Sequence, residues 1–98
     1  MSGLALTHLF AGTFADAARY AALAIRANPG FSVPYVYLVA GHVGLGDLDA
    51  ARTAARRLLE IAPGFTVGGY ARMNLFRAPL TERIAAALRK AELPEDGA

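Results

Sequence analysis

The longest apolar stretch of the chain runs from Phe31 to Leu45 and is interrupted by Pro34 and His42. Outside it, runs of helix-forming residues follow Thr13, Asp47 and Thr81. Each of these three carries a short side-chain oxygen suited to accept from an unsatisfied amide of a first helical turn, so each is expected to cap a helix. Ala17, Ala51 and Ala85 lie four residues beyond the caps, where a methyl side chain lets two helices approach closely. Gly12 and Gly46, just before two of the caps, suit a tight turn after a preceding helix. Asn28-Pro29-Gly30 and Ala62-Pro63-Gly64 end the second helices, since proline cannot continue a helix and glycine tolerates the left-handed conformation.

These marks recur every 34 residues. The segment NPGFSVPY, Asn28 to Tyr35, returns as APGFTVGG, Ala62 to Gly69. At the same offset Gly12 falls on Gly46, Thr13 on Asp47 and then Thr81, Ala17 on Ala51 and then Ala85, and Phe31 on Phe65. The third copy is degenerate but keeps the cap and the alanine. The pattern predicts six helices, Gly3 to Ala11, Thr13 to Ala27, Val33 to Gly44, Asp47 to Ile61, Val67 to Arg77 and Leu80 to Ala91, arranged as three antiparallel pairs. A repeated helical pair cannot bury its own apolar face, so the pairs are expected to stack into a solenoid.

Composition narrows the class. Hydrophobic residues make up 55% of the chain and charged residues 18%, with alanine dominating the apolar share, which favours an all-α domain over strands or disorder. Ninety-eight residues form one domain with a modest core. The Phe31 to Leu45 stretch falls short of the roughly 20 residues that cross a bilayer, and no membrane partner is expected. The N-terminus lacks the basic start and cleavage site of a secretory signal, and the chain has no cysteine, so a cytoplasmic location is expected. Net charge is +2, and the arginines that supply nine of the ten basic residues are scattered, which argues against a nucleic-acid partner.

With its repeat length and its pattern of small and large apolar positions, the chain resembles the tetratricopeptide repeat family. In the second repeat the resemblance rests on Tyr35, Leu38, Gly46, Ala51 and Pro63, and in the first on Leu4, Ala5, Gly12, Ala17, Ala24 and Pro29. The chain departs from the family pattern at Leu58, where alanine is preferred, at His8 and His42, which replace tyrosine, and at Arg72, where a core leucine is expected. The resemblance implies a short right-handed α-solenoid of about three repeats in a single domain: about 1–30, about 31–64, a degenerate third over about 65–94, and a polar tail over 95–98. The end of the chain, EIAPGFTV and then LFRAPLTERIAAALRKAELPE, is similar to tetratricopeptide segments that follow the catalytic domain of some bacterial nucleotide cyclases. No cyclase catalytic motif fits in this chain, so this likeness implies a regulatory appendage without cyclase activity.

The residues that carry chemistry point away from an enzyme. His8 and His42 occupy equivalent repeat positions, and equivalent atoms on neighbouring helices lie roughly 8 to 10 Å apart, too far for a zinc ion that needs ligands near 2 Å. Both read as structural residues in the tyrosine slot, and no metal or cofactor is expected. Asp16 and Asp49 sit in first helical turns, Asp16 completing a Thr13-x-x-Asp cap pattern. Glu60 lies near a helix end, and Glu92, Glu95 and Asp96 crowd the polar tail. The glycine-rich stretch GHVGLGD, Gly41 to Asp47, lacks the lysine and preceding strand of a phosphate loop and reads as a helix-to-helix turn. Arg52, Arg56 and Arg57, with Arg19 and Arg26, fall on second helices, the convex solvated side of the family.

In the family the first helices line a concave surface that receives peptides or partner helices. The resemblance places Leu6, Leu9 and Phe10, then Val36, Tyr37 and Ala40, then Tyr70, Asn74 and Arg77 in that groove. Chaperone-binding members grip a terminal carboxylate there, but Ser2, Leu6, Val36 and Ala40 occupy the corresponding positions, leaving Asn74 and Arg77 as the polar anchor. The first expectation is a non-catalytic scaffold or regulatory module that binds a peptide or helix of a partner protein. The second is a homodimer through the N-terminal apolar end, where Leu4, Leu6 and Phe10 lack a capping neighbour. The third is a sensor for an acyl chain or other apolar ligand in a tyrosine-lined pocket between first helices.

Overall fold

The computed structural model describes residues 2–73 and 78–96. Among them the regular structure is entirely helical: α1 Ser2–Ala11, α2 Phe14–Ala27, α3 Val33–Gly44, α4 Leu48–Ile61, α5 Val67–Met73 and α6 Ala78–Lys90. None of these helices is long and apolar enough to cross a membrane. The predicted bounds hold to within one residue at either end for the first four. Of the predicted fifth helix, residues 74–77 lie outside the described residues.

The 34-residue period is written into the backbone of the first two units. The helix α1 ends with Gly12 at φ 80° and a bond from the Thr13 amide to the His8 carbonyl at 2.9 Å; α3 ends with Gly46 at φ 80° and a bond from the Asp47 amide to the His42 carbonyl at 3.0 Å. That bond, closing over a left-handed glycine, satisfies carbonyls a helix end would otherwise leave unpaired. The second helices close alike. Asn28 and Ala62 both leave the helical conformation, and the Phe31 and Phe65 amides turn back onto the Asn28 and Ala62 carbonyls at 3.2 and 3.0 Å. Proline at the second position of each turn is pre-set for this geometry. Gly30 and Gly64 do not adopt the left-handed conformation expected of them, because a turn of this kind asks for it at neither position.

The capping chemistry differs between copies. Asp47 caps α4 as expected, its carboxylate accepting from the Ala50 amide at 3.1 Å. Thr13 holds the N-cap position of α2, but its hydroxyl donates to the His8 carbonyl at 3.2 Å and meets His8 Nδ1 at 2.7 Å, closing the turn instead of capping the helix. Asp16 correspondingly leaves the cap and pairs with Arg19 at 3.1 Å. Thr81 is no cap. The helix α6 begins three residues earlier with Pro79 in its first turn, a position where the missing amide costs nothing, and Thr81 is buried inside it.

The core centres on α3, which packs against α1, α2, α4 and α6. Ala17, Ala51 and Ala85 are buried as the pattern predicted. The helices α2 and α3 approach closely, since a Cβ at Gly41 would lie 3.1 Å from the Ala18 amide nitrogen and one at Gly44 would overlap the Phe14 ring. Leu58, Leu88, Val36, Val39 and Val67 are fully buried. The principal extents are 34 × 27 × 23 Å, and α6 lies on α3 near the C-terminal end of α1.

The C-terminal segment folds back and is held. Glu92 ends α6 at φ 67°, with the Leu93 amide bonded to the Leu88 carbonyl at 3.2 Å, and Leu93 enters the core. The Pro94 and Glu95 carbonyls then accept from the Val67 and Gly68 amides at 2.8 and 2.9 Å, satisfying the open N-terminus of α5. A Cβ on Gly68 would meet the Glu95 carbonyl oxygen at 2.9 Å, so this approach requires glycine. Residue 95, assigned from sequence to a polar tail, is thereby docked.

Candidate functional site

The joint between the first and second units is filled by Tyr35, buried among core residues and donating its hydroxyl to the Pro29 carbonyl at 3.1 Å. Thirty-four residues on, the chain has Gly69 in place of that tyrosine. Without a ring at this position the second joint stays open. A cleft of about 360 Å³ lies between α3 and α5, lined by Ser32, Val33, Val36, Tyr37, Phe65, Thr66, Gly69, Tyr70 and Met73 with Gly64. Its size falls in the ordinary range for binding pockets, roughly 300–1,000 Å³.

Local structure shapes the cleft wall. Pro34 in the first turn of α3 sets the entry angle of the helix and is itself buried. Thr66 caps α5 through its hydroxyl, which accepts from the Gly69 amide at 3.0 Å, and Tyr70 tilts against Phe65 with ring centroids 6.3 Å apart. Met73 stands at the mouth, 80% exposed, the most open of the large apolar side chains described. An unbranched thioether in that position adapts to irregular apolar partners.

The nine groove residues expected from sequence fall into three groups, with Val36 shared by two of them. Val36, Tyr37 and Tyr70 meet in the α3–α5 cleft. Leu9, Val36 and Ala40 are buried in the core that includes Ile84 and Leu88, so α6 covers much of the face expected to stand open, and Leu6 packs half-buried against that core. Their apolar character reflects this internal contact. The Phe10 side chain, Asn74 and Arg77 lie outside the described residues. Phe65 and Met73 were missed; Phe65 carried a signal as part of the repeated phrase, while Met73 carried none.

A second cleft, of about 330 Å³, opens between α6 and the C-terminal ends of α1 and α3. Its floor is Leu9, Ala40 and Ile84, its walls Phe14, Val43, Leu80 and Ala87, and its rim includes Arg83 and Lys90.

Charged side chains elsewhere tie elements together. Arg52 Nε lies 2.6 Å from the Glu92 carboxylate, and Arg89 grips Glu95 through Nε and a terminal nitrogen at 2.8 and 2.9 Å. The hydrogen bond from Arg89 holds the Glu95 carboxyl below the usual carboxylate range, and the same bond raises Arg89 further. His8 stacks on Tyr20 at 5.3 Å between centroids, with the Arg19 guanidinium 4.9 Å from that ring. Among the described residues no group of three metal-ligating side chains comes together. No protein-family model matches the chain, and neither a curated protein nor a solved structure matches it.

Proposed function

We propose that the chain is a non-catalytic protein–protein interaction module of the tetratricopeptide kind, a scaffold or regulatory domain that receives a peptide or helix of a partner protein. The right-handed solenoid belongs in this reading to the first two units, whose turn geometry repeats at 34 residues. The observation that carries the binding assignment is the α3–α5 cleft, where Tyr37, Tyr70 and Phe65 surround an apolar recess and Met73 stands exposed beside it. Aromatic side chains and methionine around a desolvated recess are the side chains that anchor interfaces. An apolar anchor residue of the partner seats in the recess while its flanking backbone meets the hydroxyls of Ser32 and Thr66 at the rim.

Selection from a displayed peptide library tests this. Enriched sequences should share an apolar anchor, and Met73→Asp should abolish their binding while leaving the helical spectrum intact. No enrichment, or enrichment that survives both Met73→Asp and Tyr70→Glu, removes the assignment.

Homodimerisation is the second reading, favoured by Leu4, which is about half exposed (48%) on α1. Light scattering over a wide concentration range decides it: a mass that stays monomeric at the highest concentration rejects it.

A further inference from the structure

We infer that the cleft between α6 and the ends of α1 and α3 is a binding site for an amphiphile with an unbranched apolar tail and a single carboxylate head, the chemistry of a fatty acid. The site is distinct from the α3–α5 cleft and stands independently of the peptide-binding reading. Three observations carry it.

First, the lining is divided by polarity. The deep part is Leu9, Ala40 and Ile84, all buried, and the walls are Phe14, Val43, Leu80 and Ala87; the charged residues of the lining, Arg83 and Lys90, are both on α6. An apolar tail removed from water against such a floor is stabilised in proportion to its buried area.

Second, the charge has one sign. No carboxylate lines the cleft, and neither Arg83 nor Lys90 forms an ion pair with any described residue, whereas Arg19, Arg52 and Arg89 all do. The face of α6 that turns into the core is Thr81, Ile84, Ala85 and Leu88, while Arg83 and Lys90 are exposed and stand at the solvent edge of the cleft. Two exposed cations at the edge of an apolar cleft, with no ion-pair partner among the described residues, fit an anion from outside.

Third, the dimensions suit a chain with a terminal head. Arg83 and Lys90 are seven residues apart, roughly 10 Å along the helix axis, so the cleft is longer than one charged group. The planar guanidinium of Arg83 matches a carboxylate with two parallel hydrogen bonds, and the Lys90 ammonium adds long-range attraction along the rim. A ligand that is only an anion would leave the apolar floor unused, and one that is only an alkane would leave the cations without a counter-charge.

The test is a titration of isotope-labelled protein with decanoate kept below its micelle threshold, read by amide chemical shifts. The site predicts saturable shifts centred on Leu9, Val43 and Ala87, with decanol bound about tenfold or more weakly because it lacks the charge. The double variant Arg83→Ala/Lys90→Ala should lose affinity by a similar factor while its helical spectrum is unchanged. Ala87→Leu, which keeps helix propensity and fills the cleft, should abolish binding. Equal affinity for decanol and decanoate, decanoate affinity untouched in the double variant, or shifts centred on Tyr37 and Tyr70 would each overturn the assignment. So would co-sedimentation with vesicles of anionic phospholipid in the absence of any shift with monomeric decanoate, since the cations would then mark adsorption to a surface.

Discussion

Arg52 of α4 and Glu92 at the end of α6 are joined at 2.6 Å, and Glu92 is the one non-glycine residue at positive φ among those described. The pairing explains why the strain is kept. A left-handed conformation costs a residue with a Cβ roughly 1–2 kcal/mol, yet a glycine at this position has no carboxylate to meet a guanidinium whose Nε is sealed from water. Glu92→Ala retains the strain and removes this largely exposed ion pair, a loss of about 0–1 kcal/mol. Glu92→Gly relieves the strain and is expected to cost about 1 kcal/mol less than the alanine variant. Urea denaturation of the pair measures the difference; equal midpoints would show that the left-handed residue carries no strain.

A Cβ placed on Gly44 overlaps the Phe14 ring, whereas one on Gly12 or Gly46 meets nothing. The three glycines are therefore needed for different reasons. Gly44→Ala should cost about 1–3 kcal/mol through overpacking, and Phe14→Leu should recover part of that loss when combined with it. Gly12→Ala and Gly46→Ala should each cost roughly 1–2 kcal/mol through backbone conformation alone, with no rescue from any neighbouring substitution. A double-mutant cycle on Gly44 and Phe14 reads the coupling directly, and simple additivity would contradict the contact.

The first four helices were legible because their ends are local events. Left-handed glycines at 12 and 46, the Asn28-Pro29-Gly30 and Ala62-Pro63-Gly64 turns and the small residues at 17 and 51 act within a few residues of themselves. The α6 segment kept the phase of the repeat at Thr81 and Ala85, and that phase misdirected the cap, since Pro79 starts the helix one turn early. Its packing on α3 is a long-range contact that no local spacing announces, which is why Leu9, Val36 and Ala40 read as an open groove yet lie in the core. The α3–α5 cleft was half visible. Tyr37 and Tyr70 were assigned through family positions, while the recess itself depends on Gly69 lacking the ring that Tyr35 supplies one repeat earlier.

Acid should release the docked C-terminal segment. Glu95 has its carboxyl held below the usual range by Arg89, so the folded state favours the ionised form more than the unfolded chain does. Its contribution is complete above the ordinary glutamate pKa, about 4.3, and is lost as pH falls through the lower folded value. Both side chains are solvent-exposed, so salt should weaken the pair. Carboxyl carbon shifts of Glu95 followed against pH should give a midpoint below the ordinary glutamate value of about 4.3. Glu95→Gln should remove the acid dependence of Gly68 amide protection; an unchanged profile would place the effect on another carboxylate.

Leu58 of α4 and Leu88 of α6 are both fully buried and belong to one apolar cluster, although 30 positions separate them. If α6 is an integral part of the core, truncating either leucine should cost about 2–5 kcal/mol and shift one cooperative transition. Total stability for a domain of this length is about 5–15 kcal/mol, so either change takes a large share of it. Were α6 instead an appendage folding on its own equilibrium, Leu88→Ala would melt only α6, with a fractional loss of helical signal before the main transition and an unchanged main midpoint. Thermal melts followed by circular dichroism at two protein concentrations distinguish these outcomes. Coincident, concentration-independent transitions for both variants, displaced by similar amounts from the parent, are expected because Leu88 packs in the same cluster as Leu9, Val39 and Ala40.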